Sequence, residues 1–171
     1  MKYLITGVAG TGKSTLAKEL RRRGYAAYDV EEGFSYYVDK QTGERCAYPK
    51  QPSQEWYDQH ERVFDEKVLL GLLKKHAHEP LFICSITANQ AKFYPQFDKL
   101  FLLTASDDII THRLGTRTNN YFGKHPLDLQ RVIGRHQQFD DELLALDAIP
   151  IDASLPIEQM TNKILSYINE A

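Results

Sequence analysis

Tyr3-Leu4-Ile5-Thr6-Gly7-Val8-Ala9-Gly10-Thr11-Gly12-Lys13-Ser14 is the stretch whose reading decides the fold. Tyr3 to Ile5 is a short apolar run of the buried-strand kind. It meets a loop with three glycines. Ser14 to Arg23 then reads as a helix, with Leu16, Ala17 and Leu20 on one face and Gly24 as the stop.

Gly7, Gly12, Lys13 and Ser14 meet the phosphate-loop spacing G-x-x-x-x-G-K-[ST]. Each position has a mechanical reason. Glycines let the backbone wrap an anion with its N–H groups turned inward. Lys13 brings a positive charge to the β- and γ-phosphates, and the Ser14 hydroxyl ligates magnesium. The helix beginning there adds the positive end of its dipole. The expected nucleotide contacts are Gly10, Thr11, Gly12, Lys13, Ser14 and Thr15. A strand before the motif and a helix after it are the context that gives it meaning.

Outward from the loop, apolar runs alternate with helical patterns. Tyr25 to Tyr28 is a second short strand that ends at Asp29. Glu31 to Pro52 has no clean period and is expected as loop with at most one turn of helix. Ser53 is expected to cap a long helix to about His78, with Trp56, Val63, Phe64, Leu70 and Leu73 on its apolar face. Leu81 to Ile86 and Lys99 to Leu103 read as strands. Ser106 is placed to cap a helix, with Asp107 and Asp108 at its positive end. Pro126 opens a long helix whose buried face is Leu129, Val132, Ile133, Phe139 and Leu143. Ala148 to Ile151 is a fifth strand, and Pro156 starts a last helix.

Continuously apolar strands alternating with helices predict a parallel sheet covered on both faces, an α/β fold of three α/β/α layers. Ligands in such folds bind beyond the C-terminal strand ends. Asp29, residues 87–90, Thr104 and Asp152 fall at those ends.

The bulk numbers narrow the classes. The chain has 171 residues, the size of one ordinary domain, and 42% hydrophobic residues, enough for a core. Its net charge of -2 argues against a chain-wide nucleic-acid footprint and gives no polybasic membrane patch. No nucleic-acid or membrane partner is expected. Cys46 and Cys84 form no CxxC pair, and Cys84 lies in an apolar run as a buried thiol. The first 16 residues lack the apolar core of a signal peptide, so a reducing cytoplasm is the expected compartment.

A GTPase would carry D-x-x-G and N-K-x-D, and neither is present. A motor or transporter ATPase would end an apolar strand in Asp-Glu, whereas Leu81 to Ile86 ends in Thr87-Ala88-Asn89. From His112 to His136 the cations are Arg113, Arg117, Lys124, Arg131 and Arg135, and the single anion is Asp128. Such a basic segment opposite a phosphate loop suits a triphosphate and the charge that develops in phosphoryl transfer.

These features together resemble the small nucleoside, nucleotide and shikimate kinase group of the phosphate-loop kinases. The resemblance spans nearly the whole chain. It rests on the phosphate loop, an acidic residue after strand two, Arg113-Leu114-x-x-Arg117, and the closing Ile151-Asp152-Ala153-Ser154-Leu155-Pro156-Ile157. It implies five parallel strands in order 2-3-1-4-5, a helical lid over about 113–135 and an acceptor-binding region over about 30–65. It implies ATP and Mg²⁺ with a small hydroxyl or phosphate compound as acceptor. Arg113 matches the lid position that contacts adenine, and Arg117 one that contacts phosphates. Asp29 matches the carboxylate that orients the acceptor, takes its proton or holds magnesium through water, with Glu31 and Glu32 beside it.

The aromatic group Phe34, Tyr36, Tyr37, Trp56 and Tyr57 falls in the acceptor region, as does His60. Aromatics there stack on a base or sugar, or simply pack a helix on the sheet. Asn89 and Gln90 read a ligand edge or cap a turn. Strand three lacks the Gly-Gly-Gly that follows it in shikimate kinases. The expected activity is ATP-dependent transfer to a small metabolite such as a nucleoside or nucleotide. The rivals are a slow regulatory ATPase and a polynucleotide 5′-hydroxyl kinase.

Overall fold

The computed structural model describes residues 1–118 and 122–169. Part of the predicted lid, residues 119–121, lies outside the described residues. β1 (Lys2–Thr6) is the central strand of a five-stranded sheet, with β6 (Leu81–Cys84) and β7 (Lys99–Thr104) on its two sides. β2 (Ala26–Asp29) pairs outside β6, and β8 (Ile149–Asp152) outside β7. All four pairings are parallel. Counted among these five strands, the order is the predicted 2-3-1-4-5.

Strand alternation divides the core between two faces. Tyr3 and Ile5 point to one face and pack with Leu16 and Leu20 of α1 (Lys13–Arg22) and Met160 and Ile164 of α6 (Ile157–Asn169). Leu4 points to the other and packs with Leu69 of α3 (Glu66–Lys75) and with Phe64 and Phe93. Further along that face, Leu102 meets Leu143 of α5 (Pro126–Leu144). The sheet is therefore a middle layer, and every central strand is buried on both sides. Cys84 is buried and free, as its apolar run indicated.

The segment from 31 to 65 differs from its prediction. Val30–Glu32 is one turn of 3₁₀ helix. After it, β3 (Ser35–Asp39), β4 (Arg45–Cys46) and β5 (His60–Phe64) form a small antiparallel sheet in order β4-β3-β5. Asp39 makes the hairpin turn, its Oδ1 accepting from the Gln41 and Thr42 N–H groups at 2.8 Å each. Tyr36, Tyr37 and Val38 are strand formers, and β5 supplies their partner from far along the chain.

The single long helix is two. Ser53 does cap a helix, its Oγ accepting from the Trp56 N–H, but α2 (Gln54–Gln59) lasts six residues. The chain then turns extended at His60 to pair with β3. Asp65 caps α3 afresh, which resets the helical phase. Leu69 becomes the buried position, and Leu70 stands 46% exposed.

Near the C-terminal end, α4 (Asp107–Thr116) starts at the predicted Ser106 cap and α5 at Pro126. Val132 and Leu143 of α5 are buried, with Leu129, Ile133 and Phe139 partly so.

The helix that carries the glycine loop is clamped to α6. Glu19 is 8% exposed and accepts from Arg22 and Arg23 at 2.7–2.8 Å. Arg23 in turn donates to Asn162 Oδ1 at 2.5 Å and to the Glu158 carbonyl at 3.3 Å. Hydrogen bonds from these two arginines hold the Glu19 carboxyl down from 4.5 to about 2. A depressed acid stabilises the fold above its usual titration range and stops doing so as it is protonated. Urea-unfolding midpoints should therefore fall between about pH 4.5 and about 2, and Glu19→Gln should lack that part of the pH dependence.

Candidate active site

β1 ends at Thr6, where the loop must turn sharply under α1. Gly7 has φ +148°, and a Cβ there would sit 2.7 Å from the Leu103 carbonyl oxygen and 2.9 Å from Thr11 Oγ1. Only glycine fits that approach. Thr11 is fully buried and closes the loop, its hydroxyl donating to the Val8 carbonyl at 2.9 Å. Its side chain is thus spent inside the loop, and only its backbone is left for a ligand.

Gly12, at φ +98°, is the residue before α1 and gives that helix no side-chain cap. The leading N–H groups of a helix lack intrahelical partners, so α1 presents them uncapped by any side chain. Gly10, Gly12, Ser14 and Thr15 line the cleft above.

Lys13 is buried in the loop. Its Nζ donates to the Gly7 carbonyl at 2.5 Å and to the Val8 carbonyl at 2.9 Å. Burial lowers its pKa from 10.5 to about 8, against the opposing pull of Asp29 and Glu31. The site therefore holds a desolvated cation beside uncapped helix N–H groups. Both features favour an incoming anion.

Asp29 lies at the C-terminal end of β2, in register with Cys84. It is buried and lines the cleft. Its Oδ1 accepts from the Glu31 N–H at 3.0 Å, so it also caps the 3₁₀ turn. Glu31 lines the same cleft, with its carboxylate 3.6 Å from Arg62. Glu32 is taken elsewhere: Arg21 grips it at 2.7 and 2.8 Å and holds its carboxyl below the usual range. The 3₁₀ turn thus sorts the three acids, sending two to the cleft and one away.

The predicted lid arginines reach the same cleft. Arg113 donates to the Ala153 carbonyl at 2.8 Å, joining α4 to the end of the sheet. Half-buried Arg117 donates to the Phe122 carbonyl, and burial lowers its pKa against the pull of Glu31 and Asp128. Arg131 lies 3.7 Å from Asp58 and 4.5 Å above the Tyr57 ring. Arg135 is an exposed residue of the cleft wall.

The aromatic group divides. Phe34 is core, stacked on Phe64 at 6.2 Å. Tyr36 carries the Arg45 guanidinium at 3.6 Å. Tyr37, Tyr57 and His60 line the cleft, together with Tyr48, which sequence reasoning passed over. Trp56 stands behind them, stacked on His60 at 4.7 Å and 5.2 Å from Tyr37. The amides divide too. Asn89 pins β5 by accepting from the Phe64 N–H at 2.8 Å. Gln90 is buried at the cleft, bonded to Thr6 and Tyr94. Asp152 caps its turn through the Ser154 N–H at 2.8 Å.

The cleft encloses about 1450 Å³. Pockets for one small ligand run to roughly 300–1,000 Å³, so this cleft has room for two molecules side by side.

A family model described as an AAA domain matches residues 4–124. The chain belongs to this family. The matched stretch includes residues 7–14, Asp29, Arg113 and Arg117. No curated protein sequence matches significantly. Solved structures do match over nearly their whole length. A deoxyadenosine kinase from M. mycoides with bound dATP aligns at TM-score 0.54 and 14% identity, covering 99% of this chain and 100% of that one. A gluconokinase from Sinorhizobium meliloti 1021 aligns at 0.56 and 14%, covering 96% and 89%. A sugar kinase from Janibacter sp. HTCC2649 aligns at 0.57 and 16%, covering 98% and 94%. The resemblance to small phosphate-loop kinases thus holds as a likeness of fold. Among the described residues, no helix is long and apolar enough to cross a membrane.

The buried Lys13 makes a prediction of its own. A lysine whose folded pKa is lowered penalises the folded state while both states are protonated. That penalty is relieved as pH rises from about 8 to 10.5. Lys13→Met should lack that penalty, which is on the order of 3 kcal/mol in wild type at pH 7. The stability gap between the two proteins should shift by that amount in favour of wild type between pH 8 and 10.5. Urea unfolding across that range measures it, and a gap constant with pH would contradict the buried-cation reading.

Proposed function

We propose that this chain transfers the γ-phosphoryl group of ATP to a small-molecule acceptor. The observation that carries the proposal is a single cleft with three components. A buried cationic phosphate loop, the Asp29 carboxylate and the arginines Arg113, Arg117, Arg131 and Arg135 all line it. A regulatory ATPase needs no room for a second molecule.

The chain's own residues supply the chemistry. The N–H groups at Gly10 to Thr15 would cradle the phosphates. Lys13 would leave the Gly7 and Val8 carbonyls for the β- and γ-phosphates, regaining the charge that burial disfavours. Arg113, held between Gly10 and Ala153, would border the adenine.

The acceptor hydroxyl would be oriented by Asp29, which takes its proton as the new P–O bond forms. The bond to the β-phosphate oxygen breaks, and its electron pair leaves with ADP. Arg117 would neutralise charge on the moving phosphoryl group. Lid closure would exclude competing water.

The residues fit magnesium. Ser14 brings a hydroxyl to the cleft and Asp29 and Glu31 bring carboxylates, the hard oxygen donors this ion takes. Among the described residues, no three His, Cys, Asp or Glu cluster as a ready-made metal site. This suits an ion that arrives on the triphosphate, held by Ser14. When bound it would draw charge from the β- and γ-phosphates.

The neighbours act on a deoxynucleoside, gluconate and a sugar, so the test panel should span nucleosides, nucleotides, sugars and sugar acids. ADP release from Mg·ATP should rise at least about tenfold with one compound. Lys13→Ala should abolish that rise. Asp29→Asn should lower kcat about 10²-fold or more and leave the KM for ATP near wild type. A slow background rate that no compound raises would count for the regulatory reading.

A further inference from the structure

Asp128 is the one acid in the basic 112–136 segment, and the proposed reaction does not use it. It sits in the first turn of α5 and is 1% exposed. Among the described residues no ion pair reaches it; three uncharged donors satisfy it instead. Tyr57 donates its phenol to Oδ1, and Tyr48 donates to the same oxygen at 3.1 Å. The Gly123 N–H donates to Oδ2 at 2.8 Å. The two phenol oxygens lie 2.7 Å from each other.

These donors come from different parts of the molecule. Tyr48 and Tyr57 belong to the 30–65 segment and line the cleft. Gly123 belongs to the lid segment, packed against Leu114 so closely that a Cβ would lie 2.9 Å from Leu114 Cδ2. Next to Gly123, the Phe122 carbonyl accepts from Arg117, and the Phe122 ring lies 6.3 Å from Tyr48. A continuous path therefore runs from the tyrosine wall through Asp128, Gly123 and Phe122 to Arg117. One turn further along α5, Arg131 repeats the link by reaching Asp58 and the Tyr57 ring.

A buried carboxylate with three donors is costly to disturb, because any donor it loses is left unsatisfied. The path is thus stiff. We propose that Asp128 is a positioning residue that couples the tyrosine wall of the acceptor compartment to Arg117, so that both sides of the cleft respond together when nucleotide binds. This rests on the kinase reading above. It adds that acceptor binding and phosphoryl stabilisation are mechanically joined.

The protein carries its own reporter. Trp56 is the only tryptophan, and it touches the rings of Tyr37, Tyr48 and Tyr57. The experiment titrates the full chain with a non-hydrolysable ATP analogue and Mg²⁺, following heat by calorimetry and Trp56 emission in parallel. In wild type, emission should change with the calorimetric midpoint. Asp128→Asn should bind the analogue within about threefold of wild type, while its emission response falls at least about fivefold. Tyr48→Phe/Tyr57→Phe removes only two oxygens, keeps the rings, and should behave likewise; it stands in should Asp128→Asn not fold.

A merely structural role would weaken binding and response together. A full emission response in either variant would overturn the coupling. So would wild type that binds the analogue with no change at Trp56. Wild type that binds no nucleotide would remove the kinase reading, and this inference with it.

Discussion

The burial of the Lys13 ammonium against two carbonyls of its own loop is the constraint around which the site is arranged. Its hydrogen-bond partners are both neutral carbonyls, and the pull of Asp29 and Glu31 does not offset its burial. Its lowered pKa records that strain, and an anion relieves it. To hold such a charge, the loop must turn at Gly7 against Leu103 and start a helix at Gly12 without a capping side chain. Strands on both sides of β1 and helices on both faces make that turn rigid. The Glu19–Arg23–Asn162 clamp then fixes α1 to α6, so the loop has a firm base.

Upon this base stand two unequal walls. The sheet ends and the phosphate loop are built from contacts near in sequence or locked in the core. The opposing wall combines the small antiparallel sheet with α2 and α5, held by polar contacts such as Arg131 to Asp58 and the tyrosines to Asp128. The structural neighbours share this frame at 14–16% identity.

The five core strands were legible because each is an apolar run with a glycine or polar stop, and their order came from the resemblance to the phosphate-loop kinases. The loop was legible because its spacing is set by phosphate geometry. Residues 31–65 were not. β3 and β5 earn their stability by pairing across more than twenty residues, which local periodicity cannot register. The apolar positions Trp56, Phe64 and Leu73 imitated one helix because two helices flank a strand. Asp29 was placed at a strand end by its sequence position, but its hydrogen bond as cap of the 3₁₀ turn was visible only in three dimensions. Asp128 stood out as the lone acid of the basic segment. Its meaning stayed hidden because Tyr48 and Tyr57 lie 80 and 71 positions away. Nothing marked Tyr48 itself, an isolated tyrosine in a proline-flanked loop.

The most direct test of phosphoryl transfer follows the phosphoryl group itself. The protein is incubated with a small-molecule extract, Mg²⁺ and ATP carrying ¹⁸O in its γ-phosphoryl group, and the products are resolved by mass spectrometry. One organic compound should acquire the labelled phosphoryl group with wild type and not with Lys13→Ala. Label recovered only as inorganic phosphate, at equal rates with and without extract, would contradict that transfer.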